Sequence, residues 1–182
     1  LSCKTIDDFQ ENVMQYVVKK ILSDTAKNLT YGGLEHFEGD KKYLIVTNHR
    51  DIVLDSAIIQ IILYMHNIQT TEIAVGDNLI SSSFMEDATR TNKMIKVVRN
   101  TTPREVYASS QKLSQYIRHS VSTNKSSIWI AQRNGRTKDG WDVTEQGVLK
   151  RLDMSGSKDF VKDFGELSFM PASISYELEP CD

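Results

Sequence analysis

The segment Asn48-His49-Arg50-Asp51-Ile52-Val53-Leu54-Asp55 sets a histidine among polar residues directly after a short apolar run, with two carboxylates close behind it. A carboxylate hydrogen-bonded to one imidazole nitrogen fixes the tautomer and stabilises the imidazolium, leaving the other nitrogen to take a proton. That pairing is a general base for activating a hydroxyl, and Asp51 and Asp55 compete for the partner's place. His36, His66 and His119 have no such setting and read as structural. The chain has no G-x-S-x-G elbow, Walker phosphate loop, G-x-G-x-x-G or H-E-x-x-H. A serine hydrolase, a nucleotidase with a phosphate loop and a zinc protease therefore lose support. A base without a protein nucleophile leaves direct attack by a substrate hydroxyl.

The second chemical signal is charge. The net charge of −2 conceals three blocks: positions 1–89 hold 7 basic and 13 acidic residues, Arg90 to Lys138 hold 11 basic residues and the single acid Glu105, and Asp139 onward holds 4 and 10. A segment of charge +10 between two of −6 points to an anionic partner. A phosphorylated small molecule, a coenzyme and an anionic membrane all qualify. A nucleic acid is not expected, since no recognition motif accompanies the basic residues.

These residues need elements to hold them. Tyr43 to Thr47, Glu72 to Val75, Met94 to Val98 and Ser127 to Ala131 are short apolar runs with the character of buried strands, and Ser168 to Tyr176 reads as a fifth. A weak strand is expected at Leu29 to Tyr31. Ile6, Phe9, Val13, Tyr16, Val17 and Ile21 recur at helical spacing behind a Thr5/Asp8 capping box. Further helices are expected from a cap at Asp55 or Ser56 through Met65, over Ser83 to Thr89, and from Val143 to Met154 with an interruption at Gly147. The strongest helix start is Thr102-Pro103 with Glu105 in the first turn, continuing to Val121. Strands alternating with helices imply a parallel α/β sandwich. Ligands in such sheets bind beyond the carboxyl ends of the strands. His49, Asp77, Arg99 and the run Arg133 to Arg136 each follow one of four strands, so one sheet edge collects a histidine, carboxylates and arginines.

The chain of 182 residues, 40% hydrophobic, is the size of one domain with a real core. No run approaches the ~20 apolar residues of a bilayer-spanning helix. Cys3 and Cys181, at opposite ends, exclude a disulfide framework and a cysteine zinc site and fit a reducing compartment. A single soluble cytoplasmic domain is the expectation. Because the sequence begins at Leu1 and shows no signal peptide, a fragment of a longer protein is expected too.

Four blocks in order resemble the glycerolipid acyltransferases, the glycerol-3-phosphate and lysophosphatidate O-acyltransferases. They are Asn48-His49 with Leu54-Asp55, Lys96-Val97-Val98-Arg99, Asn134-Gly135-Arg136-Thr137, and Phe169-Met170-Pro171-Ala172-Ser173-Ile174. Gly76-Asp77-Asn78-Leu79 resembles the segment between the first two blocks. Two departures stand out. His49 and Asp55 enclose five residues where the family has four, and Asn134 occupies the place of a glutamate, with Gly135-Arg136 one residue short. On a regular helix the sixth residue points about 140° away, so Asp55 reaches His49 only if one residue is looped out.

The resemblance implies an α/β fold with a mainly parallel central sheet flanked by helices. It also implies acyl transfer from acyl-CoA or acyl-carrier protein as co-substrate, with no cofactor and no metal. His49 with Asp55 would be catalytic, Arg99 and Arg136 would hold the acceptor phosphate, and Asn48, Arg50, Asp51, Asp77, Arg133, Asn134 and Gly135 would complete the site loops. The expected setting is peripheral, at the inner face of the membrane. The competing expectation, which the altered blocks favour, is a catalytically inactive phospholipid-binding module.

Overall fold

The computed structural model describes residues 3–99 and 101–178, so Cys181 lies outside the described residues. Five strands, β1 (Leu44–Thr47), β2 (Glu72–Gly76), β3 (Met94–Val97), β4 (Ile128–Ala131) and β5 (Phe169–Ala172), form one sheet in the order β3-β2-β4-β1-β5. Neighbouring strands run parallel throughout. A parallel pair needs a crossover, usually helical. Here α3 (Leu54–Met65) links β1 to β2, α4 (Ser83–Thr91) links β2 to β3, and α5 (Pro103–Ser122) links β3 to β4. The return to β5 carries α6 (Gln146–Asp153) and α7 (Phe160–Gly165).

Strand side chains alternate between two buried faces, as a covered parallel sheet requires. Leu44 and Ile128 pack with Val97 against Leu113, Ile117 and Val121 of α5 and Leu152 of α6. Ile45, Ile73 and Trp129 point to the other face and pack with Leu63 of α3. Both faces are thus sealed, and the strand ends are left to carry polar residues.

Local chemistry sets the helix starts. Thr102 and Glu105 form a reciprocal capping box with Pro103 at the first position of α5, and Thr5 and Asp8 form another ahead of α1 (Ile6–Phe9). Past α1 the helix widens for one turn, Gln10–Met14, before α2 (Gln15–Thr25).

Several expectations fail. Positions 29–31 form no strand; Tyr31 instead hydrogen-bonds His66 through its hydroxyl at 2.9 Å. Gly147 does not interrupt α6, which simply begins at Gln146. The first helix forms over residues 6–25 and buries Val18, while Tyr16 and Val17 are 63% and 45% exposed. The last strand stops at Ala172, and beyond it the Asn48 side chain, rather than strand backbone, takes the hydrogen bonds of Ile174. α7 was not foreseen. No helix among the described residues is long and apolar enough to cross a membrane.

Candidate active site

β1 ends at Thr47 and delivers His49 to the carboxyl edge of the sheet. Nδ1 of His49 lies 2.9 Å from Oδ2 of Asp55, a carboxylate with no solvent exposure. The same oxygen accepts the backbone N–H groups of Arg50 at 2.7 Å and Asp51 at 3.0 Å, and Oδ1 accepts the Tyr176 hydroxyl at 2.9 Å. A carboxylate so held is fixed in place, and with Nδ1–H donating to it the Nε2 lone pair of His49 is left for a proton.

Asp51 does different work. Its Oδ1 accepts the N–H groups of Val53 and Leu54 at 2.8 and 2.6 Å and so caps α3. The cap is therefore neither Asp55 nor Ser56. The extra residue of the first block is absorbed in a turn at Ile52 and Val53, 50% and 63% exposed, which brings the Asp55 carboxylate back under the ring.

The loop after β4 is tied to this turn. The Thr137 N–H donates to the His49 carbonyl at 2.7 Å, and its hydroxyl donates to Asp142 at 2.8 Å. Asp142 also accepts from the Asn48 side chain at 3.1 Å and pairs with Arg50 at 3.2 Å. Burial pushes the Asp142 carboxyl up, but hydrogen bonds from Asn48 and Thr137 and the charges of Arg50 and Arg133 outweigh it and hold the group below its usual range. Asn48 further clasps the backbone of Ile174, donating to its carbonyl and accepting its N–H, both at 2.8 Å. Asn48 and Arg50 are thus braces between β1, the β4 loop and the tail of β5.

A cavity of about 160 Å³ opens beside His49 and is lined by Arg99, Arg133, Asn134, Gly135 and Arg151 together with the ends of β2 and β4. The Trp129 ring meets the His49 ring edge-on at 6.4 Å. Three buried N–H groups have no acceptor among the described residues, Arg99 Nε, Arg133 Nε and Trp129 Nε1, and all three belong to residues lining this cavity. Burial, then the nearby charge of Arg151, push the Arg99 guanidinium below its ordinary value, partly offset by Asp77 and Glu145. Asp77 anchors the end of β3 by accepting the Arg99 N–H at 3.2 Å. Gly76 makes room for the Arg99 side chain: a Cβ there would lie 3.1 Å from its Cζ. Gly135 takes a left-handed φ of +69° at the tip of the β4 loop.

The edge therefore gathers His49, Asp55, Arg99 and Arg133, with Asn134 and Gly135 at its rim. Arg136 is half-buried and does not line the cavity, nor do Asp51 and Asp77. His36, His66 and His119 do not line it either. Asp142, Arg151 and Tyr176 escaped the sequence reading. Arg151 lies outside the basic block, and the other two reach the site only through long-range contacts.

Next to the cavity runs a groove of about 360 Å³ between α2 and α3, walled mainly by apolar groups such as Val17, Ile21, Ala57 and Tyr64. Ile52, Ser56, Ile73, Val75, Leu79 and Met94 border both spaces. Among the described residues no cluster of His, Cys, Asp or Glu is suited to a metal ion.

Residues 28–166 match the model of the acyltransferase family, and the chain belongs to that family. Among solved structures it is similar to the 1-acyl-sn-glycerophosphate (LPA) acyltransferase PlsC from Thermotoga maritima, with a TM-score of 0.58 and 12% identity. The likeness covers 83% of this chain and 55% of that one, so the chain spans about half of that protein's length, and it establishes the shared fold. No curated protein matches the chain in sequence.

Proposed function

We propose that this acyltransferase moves a fatty acyl group from a thioester, acyl-CoA or acyl-carrier protein, to a hydroxyl of a glycerol phosphate or lysophospholipid. The observation that carries the reading is the buried His49–Asp55 pair opening onto a cavity lined by arginines, with an apolar groove alongside. Nε2 of His49 takes the proton of the acceptor hydroxyl as its oxygen attacks the thioester carbonyl. The tetrahedral intermediate collapses with cleavage of the C–S bond, and the imidazolium returns its proton to the departing thiolate. Donors on the cavity wall, Arg99 and Arg133 first among them, suit either the acceptor phosphate or the oxyanion. Arg136 is the less favoured phosphate ligand, being off the cavity wall. The groove suits the acyl chain, which gains from every buried methylene. No cofactor enters this chemistry.

Exposed Ile52, Val53 and Met85 border the groove, and Phe84 beside them is 77% exposed. An apolar rim of this kind suits work at a membrane surface, where a lipid substrate enters without crossing water.

The test is a panel of acceptors offered with acyl-CoA and with acyl-carrier protein, run on the wild type and on His49→Ala. The wild type should acylate at least one acceptor, and a well-folded His49→Ala should lose about 10²–10⁴-fold. Lysolipid binding without turnover by the wild type would favour the inactive binding module instead. Near-normal turnover by His49→Ala would remove the histidine from the mechanism.

A further inference from the structure

The chain beyond β5 keeps the alternation of a strand after the ladder has ended. Ile174 is buried and Ala172 and Tyr176 are half-buried, while Ser173 and Ser175 between them are exposed. β5 lies beside β1 in parallel register, Ala172 opposite Thr47, and the Asn48 side chain then takes both the N–H and the carbonyl of Ile174. This clasp carries the tail past the end of β1. Two residues on, the Tyr176 hydroxyl donates to Oδ1 of Asp55 at 2.9 Å. That carboxylate is fully buried, and its other oxygen already takes Nδ1–H of His49 and the N–H groups of Arg50 and Asp51. An ionised carboxylate accepts and cannot donate, so the phenol is the donor. A chain of Tyr176, Asp55 and His49 thus runs from the tail to the cavity that His49 lines.

We propose that Tyr176 is a positioning residue for acyl transfer, a third member of the His49–Asp55 pair. It holds the carboxylate still and takes up part of its charge, so that the imidazole is free to accept the acceptor's proton at neutral pH. This rests on the acyl-transfer reading above. A base acts only while it is unprotonated. A carboxylate against Nδ1 steadies the imidazolium of the transition state, but the same charge favours a proton on the resting ring. A hydrogen bond to the other carboxylate oxygen tempers that charge without moving it. The remaining charged groups around the ring do not change with Tyr176. Asp51 caps α3, and Arg50 pairs with Asp142. Arg99, Arg133 and Arg151 line the same cavity from the end of β3, the β4 loop and α6, and guanidinium groups stay charged at every working pH. The Trp129 ring, edge-on to His49, is neutral.

The experiment compares Tyr176→Phe with a chain carrying 3-fluorotyrosine at position 176. Phenylalanine keeps the ring and removes the donor, whereas a ring fluorine keeps the shape and makes the hydroxyl a stronger donor. The acid limb of the pH profile of kcat/KM should move up by about half a unit to one unit in Tyr176→Phe. That is the scale of one charged hydrogen bond, about tenfold in an equilibrium, felt in part through the carboxylate. The loss is then about 3- to 10-fold on the acid side and closes at alkaline pH. The fluorinated protein should move the limb the other way. A residue that only packs would lower the unfolding midpoint and leave the limb in place. A limb unmoved in both proteins, a shift in the same direction in both, or a loss uniform across pH overturns the proposal. Should Tyr176→Phe fail to fold, the near-isosteric fluorinated protein decides alone. The second arm needs no turnover: the His49 ring is titrated by NMR in the free protein, its signal identified by its absence in His49→Gln. The titration midpoint should rise in Tyr176→Phe and fall with fluorotyrosine. An unmoved midpoint refutes the role of Tyr176 whether or not turnover is seen. Midpoints that move as expected in a protein that acylates no acceptor refute the acyl-transfer reading and leave the Tyr176–Asp55–His49 chain standing.

Discussion

Replacing Asp55 with asparagine separates the charge of the His49–Asp55 pair from its shape. The carboxylate receives three N–H groups on Oδ2 and the Tyr176 hydroxyl on Oδ1. An amide fits that pattern in one orientation. Its carbonyl faces the three N–H groups and its NH2 faces Tyr176, whose hydroxyl can rotate to accept. The imidazole keeps its tautomer, and the substitution removes one negative charge 2.9 Å from Nδ1. Unit charges 4 Å apart attract by about 4 kcal/mol at an effective dielectric of 20. A charged hydrogen bond exceeds a neutral one by about 1–2 kcal/mol. The imidazolium-like transition state loses an amount between those limits, so kcat should fall roughly 10- to 10³-fold with KM held within about threefold. Asp51 supplies the contrast, because its carboxylate caps α3 rather than touching the ring. Asp51→Ala should cost about 0.5–2 kcal/mol of stability, and Asp51→Asn, an equally good cap, should restore most of it. Steady-state kinetics and thermal unfolding of the three variants check both halves. Wild-type kcat in Asp55→Asn, or a hundredfold loss in Asp51→Asn at an unchanged midpoint, refutes the division of labour.

Tyr176→Phe removes one of four donors to Asp55 and should lower kcat about 3- to 10-fold, the scale of one hydrogen bond, with little change in KM; an unaltered kcat would show that the other three donors suffice. Gly76→Ala puts a Cβ 3.1 Å from Arg99 Cζ and 2.5 Å from Asn78 Oδ1, so KM for a phosphorylated acceptor should rise while that for a neutral one does not. The depressed Asp142 carboxyl contributes stability that is complete above its ordinary value of 3.8 and is lost as the pH falls through its lower folded value. Unfolding midpoints of the wild type and Asp142→Asn should therefore differ at neutral pH, begin to converge as the pH falls past 3.8 and meet below the folded value. A gap that stays constant down to acid pH would show that Asp142 acts by shape alone.

What the sequence made legible is what local pattern encodes. The apolar runs that became β1 to β4 needed only their flanking polar residues to be placed, and the Thr102-Pro103-Glu105 start of α5 is a three-residue device that works wherever it occurs. From those strands alone, His49, Arg99 and Arg133 fall on one edge. Asp55 was readable through the residues that follow it, even though the spacing was irregular. Tyr176, Asp142 and Arg151 were not readable, because nothing in their neighbours signals a partner 121 or 94 positions away. The apolar stripe of the first helix marks it as amphipathic without saying what it faces, and in the structure Val17 and Ile21 border the groove beside α3.

Charge shows the same limit. The block from Arg90 to Lys138 carries +10 along the chain, but the fold mixes it with acids from elsewhere. Lys93 pairs with Asp7, Arg90 with Glu86 and Arg118 with Glu166, while Lys125 lies over the Tyr116 ring. At the strand ends Arg99 and Arg133 form no close ion pair among the described residues, and Arg151 from the acidic final block lines the same cavity. A field that looked like a broad basic surface is in part a local concentration of guanidinium groups around one cavity. That distinction matters for the chemistry, since donors in a partly buried site act on a bound anion with far less screening than lysines in solvent. Exposed Lys96, Arg104, Lys112 and Lys138 remain outside these pairings. Any electrostatic attraction to an anionic surface would fall to them rather than to the half-buried arginines of the cavity.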